Sequence, residues 1–187
     1  MLFSDFLPEE DAWSAVAAGR QDILGPIVDD FKRTFPDLTF ELRLDCRIIN
    51  AQAIALAGTK SVLLYGGLAL HPHLSADTLT FCVLHEVGHH LAKGNRLRCD
   101  ASLACECAAD YWASTDGANM LREISGRSFE MEKAMFELSN VIEKQGVEDA
   151  RIYPEVERPR CWSQCFSMRM QALINQPKSQ PCGECHV

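Results

Sequence analysis

A chain of 187 residues fits one compact domain, and its formal net charge of −8 argues against a nucleic-acid surface, which normally begins with a basic patch. Apolar residues make up 47% and charged residues 24%, the balance of a folded, soluble protein with room for a core. The longest apolar run near the central motif, residues 61–70, is far short of the roughly 20 that a membrane helix needs, so no membrane span is expected.

The chain carries no internal repeats and no low-complexity runs. Asp11 can cap a helix from Ala12 to Leu24, and Gly25-Pro26 breaks it or starts a second short helix ending near Phe35. Pro36-Asp37 is a turn. From Leu38 to Ile48 the even positions are apolar and Thr39, Glu41, Arg43, Asp45 and Arg47 alternate with them. That strict period of two predicts a strand with one buried face. Residues 51–57 and 61–65 read as two further strands around a Gly58-Thr59-Lys60 turn, with Gly66-Gly67 ending the second.

Asp77 then precedes an apolar-periodic helix, 79–92, stopped by Gly94. A second helix is expected over about 103–121. A third, 128–144, places Phe129, Met135, Leu138, Val141 and Ile142 near one face. Residues 148–160 read as a loop, 163–174 as a last helix and 176–187 as a Cys-containing tail. Helices, a meander of strands and more helices make the fold class α+β, with one domain over 1–175 and the tail over 176–187.

Within the central helix, His85-Glu86-Val87-Gly88-His89 contains H-E-x-x-H. Residues four apart share a helix face, so His85 and His89 can present two imidazoles to one ion. Zinc suits imidazole nitrogen, and Zn2+ is the expected cofactor. Glu86 is placed to act as general base on a water acidified by the metal. Seventeen residues after His89 comes Glu106, with Asp110 four further on. If their helix packs against the first, Glu106 completes a His-His-Glu site. Asp110 then accepts the free N–H of a ligating imidazole and fixes its tautomer. Ala108, Ala109, Trp112 and Ala113 around the pair read as packed, not as a solvated acidic stripe.

These residues resemble the gluzincin metallopeptidases, in particular the family that contains the prenyl-protein (CAAX) protease and the membrane heat-shock protease. The likeness runs over about residues 48–116: Asn50-Ala51 opening a strand, Gly67-Leu68, Asp77, His85 to His89, and Glu106 to Asp110. It departs from that family in lacking transmembrane helices, in the short interval from His89 to Glu106, and in the cysteines after residue 98. The resemblance implies a zincin-like fold: a small antiparallel or mixed sheet, an active-site helix, a glutamate-ligand helix and a helical C-terminal part. It implies a zinc-dependent metallo-endopeptidase. By analogy, a peptide or protein substrate pairs as an extended strand along Ser61 to Gly66. It further implies an oxyanion stabiliser, for which Tyr153, Arg160 and His90 are the candidates.

Nine cysteines are many for a chain of this size, and seven lie after residue 98. Cys99, Cys105, Cys161, Cys165, Cys182 and Cys185 are open to disulfides or to a second metal site, the latter with His186 as a further donor. Cys107 is either part of a bridge or a small buried hydrophobe. Cys46 and Cys82 fall at apolar positions and read as core. Likeness to small exported bacterial gluzincins favours disulfides. No basic segment followed by an apolar stretch opens the chain, which makes a cytoplasmic location the default expectation. A periplasmic or secreted one applies if a leader has been removed. Two rival functions share the motif: a non-catalytic, zinc-stabilised interaction protein, and a regulatory peptidase that cuts one partner protein or precursor peptide.

Overall fold

Leu24, Ile27, Val28 and Phe31 recur at the three- and four-residue spacing of one helix face. In the computed structural model, which describes residues 10–97 and 100–144, they line the buried side of one helix, α1 (Glu10–Thr34). The break expected at Gly25-Pro26 does not occur. Both residues lie on the exposed side of α1, so the bond that Pro26 cannot donate is lost where water can replace it, and the helix runs on.

Three strands come next: β1 (Thr39–Arg43), β2 (Ala51–Leu56) and β3 (Thr59–Tyr65). They form a mixed sheet in the order β1-β3-β2, with β1 parallel and β2 antiparallel to the central β3. The fold is therefore α+β. The alternating pattern over 38–48 yields only a five-residue strand. Its partner β3 ends at Tyr65 and turns into the short helix α2 (Gly66–Ala69), so residues 44–48 have no ladder to join. They lie instead against two glycines, where a Cβ would sit 2.3 Å from the Leu44 carbonyl at Gly66 and 2.2 Å from the Arg47 carbonyl at Gly67. The hairpin turn falls one residue earlier than expected. Ala57 (φ 51°) and Gly58 (φ 83°) both take positive φ, as a two-residue turn matched to the strand twist requires.

The next helix, α3 (Ala76–Leu91), is buried on all sides from Thr78 to His90. It packs on β2 and β3, on α1, on α4 (Glu106–Trp112) and on α6 (Met131–Lys144). Asp77 is not its cap: Ser75 holds that position, and Asp77 lies in the first turn, paired with Lys133 at 2.7 Å. The first-turn donors are taken from outside. Glu137 of α6 accepts the Ser75 N–H at 2.6 Å and the Thr78 hydroxyl, placing a carboxylate where the helix dipole favours one.

The helix expected over 103–121 is two helices joined by a π-turn: α4, then Ala113–Gly117, then α5 (Ala118–Ser125). On α6, Ala134, Met135, Leu138 and Val141 are buried, the face that the sequence pattern marks. One apolar cluster joins α1, the sheet, α3, α4, α5 and α6. Among the described residues no helix is long and apolar enough to cross a membrane. The loop, last helix and tail expected after residue 145 lie outside the described residues.

At the crossing of α3 and α4, a Cβ on Gly88 would sit 2.7 Å from the Ala109 carbonyl oxygen and 2.9 Å from its Cα. Backbone meets backbone there, so nothing flexible can give way. Gly88→Ala is expected to force the helices apart and cost about 1–3 kcal/mol of stability, read by denaturant unfolding. The Glu137 contact makes a pH-dependent prediction. Burial opposes its charge, but bonds from Thr78 and Ser75 outweigh it and hold the carboxyl below its ordinary 4.5. A lowered folded value stabilises above the unfolded one and is lost as pH falls through it. Glu137→Ala should lower stability by about 1 kcal/mol near neutral pH. The deficit should shrink once pH drops below 4.5, as thermal unfolding across that range will measure.

Candidate metal centre

A helix buried on every side has no room for unpartnered polar groups, yet α3 buries His85, Glu86, His89 and His90. Each has a designated partner. The His85 Nδ1–H donates to Asp110 Oδ1 at 2.7 Å. His89 Nδ1 lies 2.7 Å from the Ala104 carbonyl, which can only accept, so that nitrogen carries the proton. Both rings therefore present Nε2 inward, 3.1 Å apart.

Glu106, the first residue of α4, closes the group. Its carboxylate lies 3.2 Å from His85 Nε2 and 3.6 Å from His89 Nε2. Ligands about 2.0–2.1 Å from a tetrahedral ion stand roughly 3.3 Å from one another, and these three edges match that spacing. The two ring nitrogens and the carboxylate are a donor set that could hold a single divalent ion. The ligand atoms of His85, Glu86 and His89 also fall within 4.8 Å of one another and could hold a metal. Glu106 is the better third donor, because Glu86 is turned to the sheet, where its Oε2 accepts the Ala53 N–H at 2.8 Å.

Burial works against a charged His85, but the adjoining Asp110 and Glu106 carboxylates outweigh it and raise the imidazole to about 10. Burial, then Glu86 and Asp110, push the Cys82 thiol upward, which keeps it an inert core side chain, as expected from its apolar position. The Glu106 side chain is the more exposed of the two carboxylates, at 16% against 1% for Asp110.

The connector from α3 to α4 delivers these groups. Arg96 and Ala104 form an isolated antiparallel bridge, and the Cys105 N–H donates to Asn95. Ala104 returns to the end of α3 and is bonded twice to one residue, its N–H to the His89 carbonyl at 2.7 Å and its carbonyl to the His89 ring. Residue type carries no signal for this role, since only backbone atoms act.

His90 is not brought to the donors. Its Nε2–H donates to the Ser61 carbonyl of β3 at 2.9 Å, and burial lowers its pKa, so it is a link between helix and sheet. The strand from Ser61 to Gly66 does not offer a free edge. β3 is flanked by β1 and β2 along its length, and the outer edge next to Glu86 belongs to β2. Cys46, Cys82 and Cys105 carry free thiols, so Cys105 makes no bridge, and Cys46 is only half-buried. Cys107 is buried and disulfide-bonded. Tyr153, Arg160, Cys99, Cys161, Cys165, Cys182, Cys185 and His186 lie outside the described residues. No protein family, curated protein or solved structure matches the chain.

The partner of His85 is open to a direct test. Removing Asp110 leaves the ring unoriented, so if the centre holds a metal, Asp110→Ala should weaken its binding by about 10–100-fold. A chelator competition titration measures it. Unchanged affinity would remove Asp110 from the centre.

Proposed function

We propose that the protein is a zinc-dependent metallo-endopeptidase of the gluzincin type, with a zincin-like fold. The observation that carries this reading is the meeting of His85 Nε2, His89 Nε2 and the Glu106 carboxylate at 3.1–3.6 Å, with the Glu86 carboxylate beside them. A structural zinc site is normally closed by four protein ligands, whereas three ligands and an open side suit catalysis. The partly exposed Glu106 edge supports the second case.

His85, His89 and Glu106 would hold the ion, while Asp110 and the Ala104 carbonyl fix the two rings. A bound zinc ion lowers the pKa of a water to about 7 and polarises a carbonyl. Glu86 takes a proton from the attacking water and passes it to the leaving amine, so that one carboxylate serves as base and then as acid. The extended substrate pairs along the outer edge of β2, next to Glu86, and not along β3. Ala51, Ala53 and Ala55 lie on one face of that strand, and Ala51 and Ala53 are buried there.

Zinc stoichiometry and peptide cleavage test the proposal together. The full chain should bind zinc through this centre and cleave an unfolded polypeptide. Glu86→Gln should keep the zinc and lose about 10²–10⁴-fold in rate. Cleavage by that variant at the original rate would defeat the enzyme reading and leave an ion that only braces the fold.

A further inference from the structure

The base of a hydrolase must be aimed as well as placed, and Glu86 has a fixed support that no residue type announces. The β2–β3 hairpin closes on the Leu56 and Thr59 pair around its two-residue turn. Ladder bonds then fall on alternate pairs, and Ala53, opposite Val62, points its N–H away from β3. On an edge strand such a group normally faces water or a partner chain. Here both ends are buried, Ala53 at 7% exposed and Glu86 at 6%, and the N–H donates to Glu86 Oε2 at 2.8 Å.

Building on the peptidase reading, we infer that the Ala53 backbone N–H is the positioning group for Glu86. It anchors one carboxylate oxygen to the sheet, while Glu86 still offers an oxygen within 4.8 Å of the His85 and His89 ring nitrogens. The orientation of the base is thus set by β2 and does not depend on the ion. The same bond removes one donor from the edge of β2. An extended chain lying there meets the backbone of Ala51 and Ala55 but finds the Ala53 N–H already taken.

Amide hydrogen exchange on the full chain, with and without zinc, reads the contact without any need for activity. A hydrogen bond to a carboxylate should slow exchange of the Ala53 amide by about 10–100-fold. Glu86→Ala should restore fast exchange at that amide and leave the ladder amides of β2 unchanged. Exchange at the rate of an open edge amide in the native protein would overturn the inference. Ala53→Pro gives the functional arm, since proline is tolerated on an edge strand where its nitrogen faces away from the ladder. It should retain zinc and KM while kcat falls, by up to about 100-fold as expected for a misaligned group. An unchanged kcat in this variant would also overturn the inference. If Ala53→Pro does not fold, the exchange arm decides alone. A protected Ala53 amide in a protein that cleaves no peptide would sink the peptidase reading and leave this contact standing.

Discussion

The contact of α3 with α4 at Gly88 and Ala109 sets the geometry of everything around it. Two helix backbones meet there with no side chain between them, which is what lets short side chains reach across. Asp110 spans only a carboxymethyl group to His85, and Glu106 reaches both imidazoles from the first turn of its helix. An interposed methyl group would lengthen each of these contacts at once. Glycine in a helix interior costs about 1 kcal/mol relative to alanine, and here that cost is offset by the approach it permits.

A second constraint arises from burial. A helix enclosed on all sides is ordinarily apolar throughout, and α3 instead carries four polar residues in its last two turns. Each is held by a group of different origin: a carboxylate on α4, the returning connector, the sheet edge and the central strand. Those four contacts tie α3 to α4, to the connector and to two strands of the sheet. The polar residues are therefore also the register marks of the packing, because a slip of α3 along its axis would break all four together.

The same division separates the legible parts of the sequence from the rest. Side-chain chemistry repeated at helical spacing was legible: His85 with His89, and Glu106 with Asp110, each four apart. The close approach of the two helices was conditional in the sequence, since nothing in residue type states which helices meet. Backbone participants were not legible at all. The Ala104 carbonyl and the Ala53 N–H act through atoms that every residue type shares with its neighbours. The alternating run over 38–48 misled because period two marks a residue's capacity to form a strand, while a ladder also needs a neighbour, and β3 had already turned into α2. Pro26 misled for the opposite reason: its usual effect depends on which side of the helix it occupies. The place of β3 in the middle of the sheet came from a long-range parallel pairing with β1 that no local pattern encodes.

The π-turn between α4 and α5 gives the glutamate-bearing helix two separate jobs. Along an unbroken α-helix Asp110, Gly117 and Leu121, seven and four residues apart, would fall in line. Leu121 would then share the side that faces His85. One widened turn advances the chain by a residue and rotates the helix beyond it by about 100°. Leu121 is fully buried, and α5 packs against α1. The segment behaves like a camshaft, with one lobe timed to the histidine and carboxylate cluster and the other to the first helix. The angle between the lobes is stored in Ala113–Gly117, so a one-residue insertion or deletion there would turn Leu121 relative to Asp110 by about 100°.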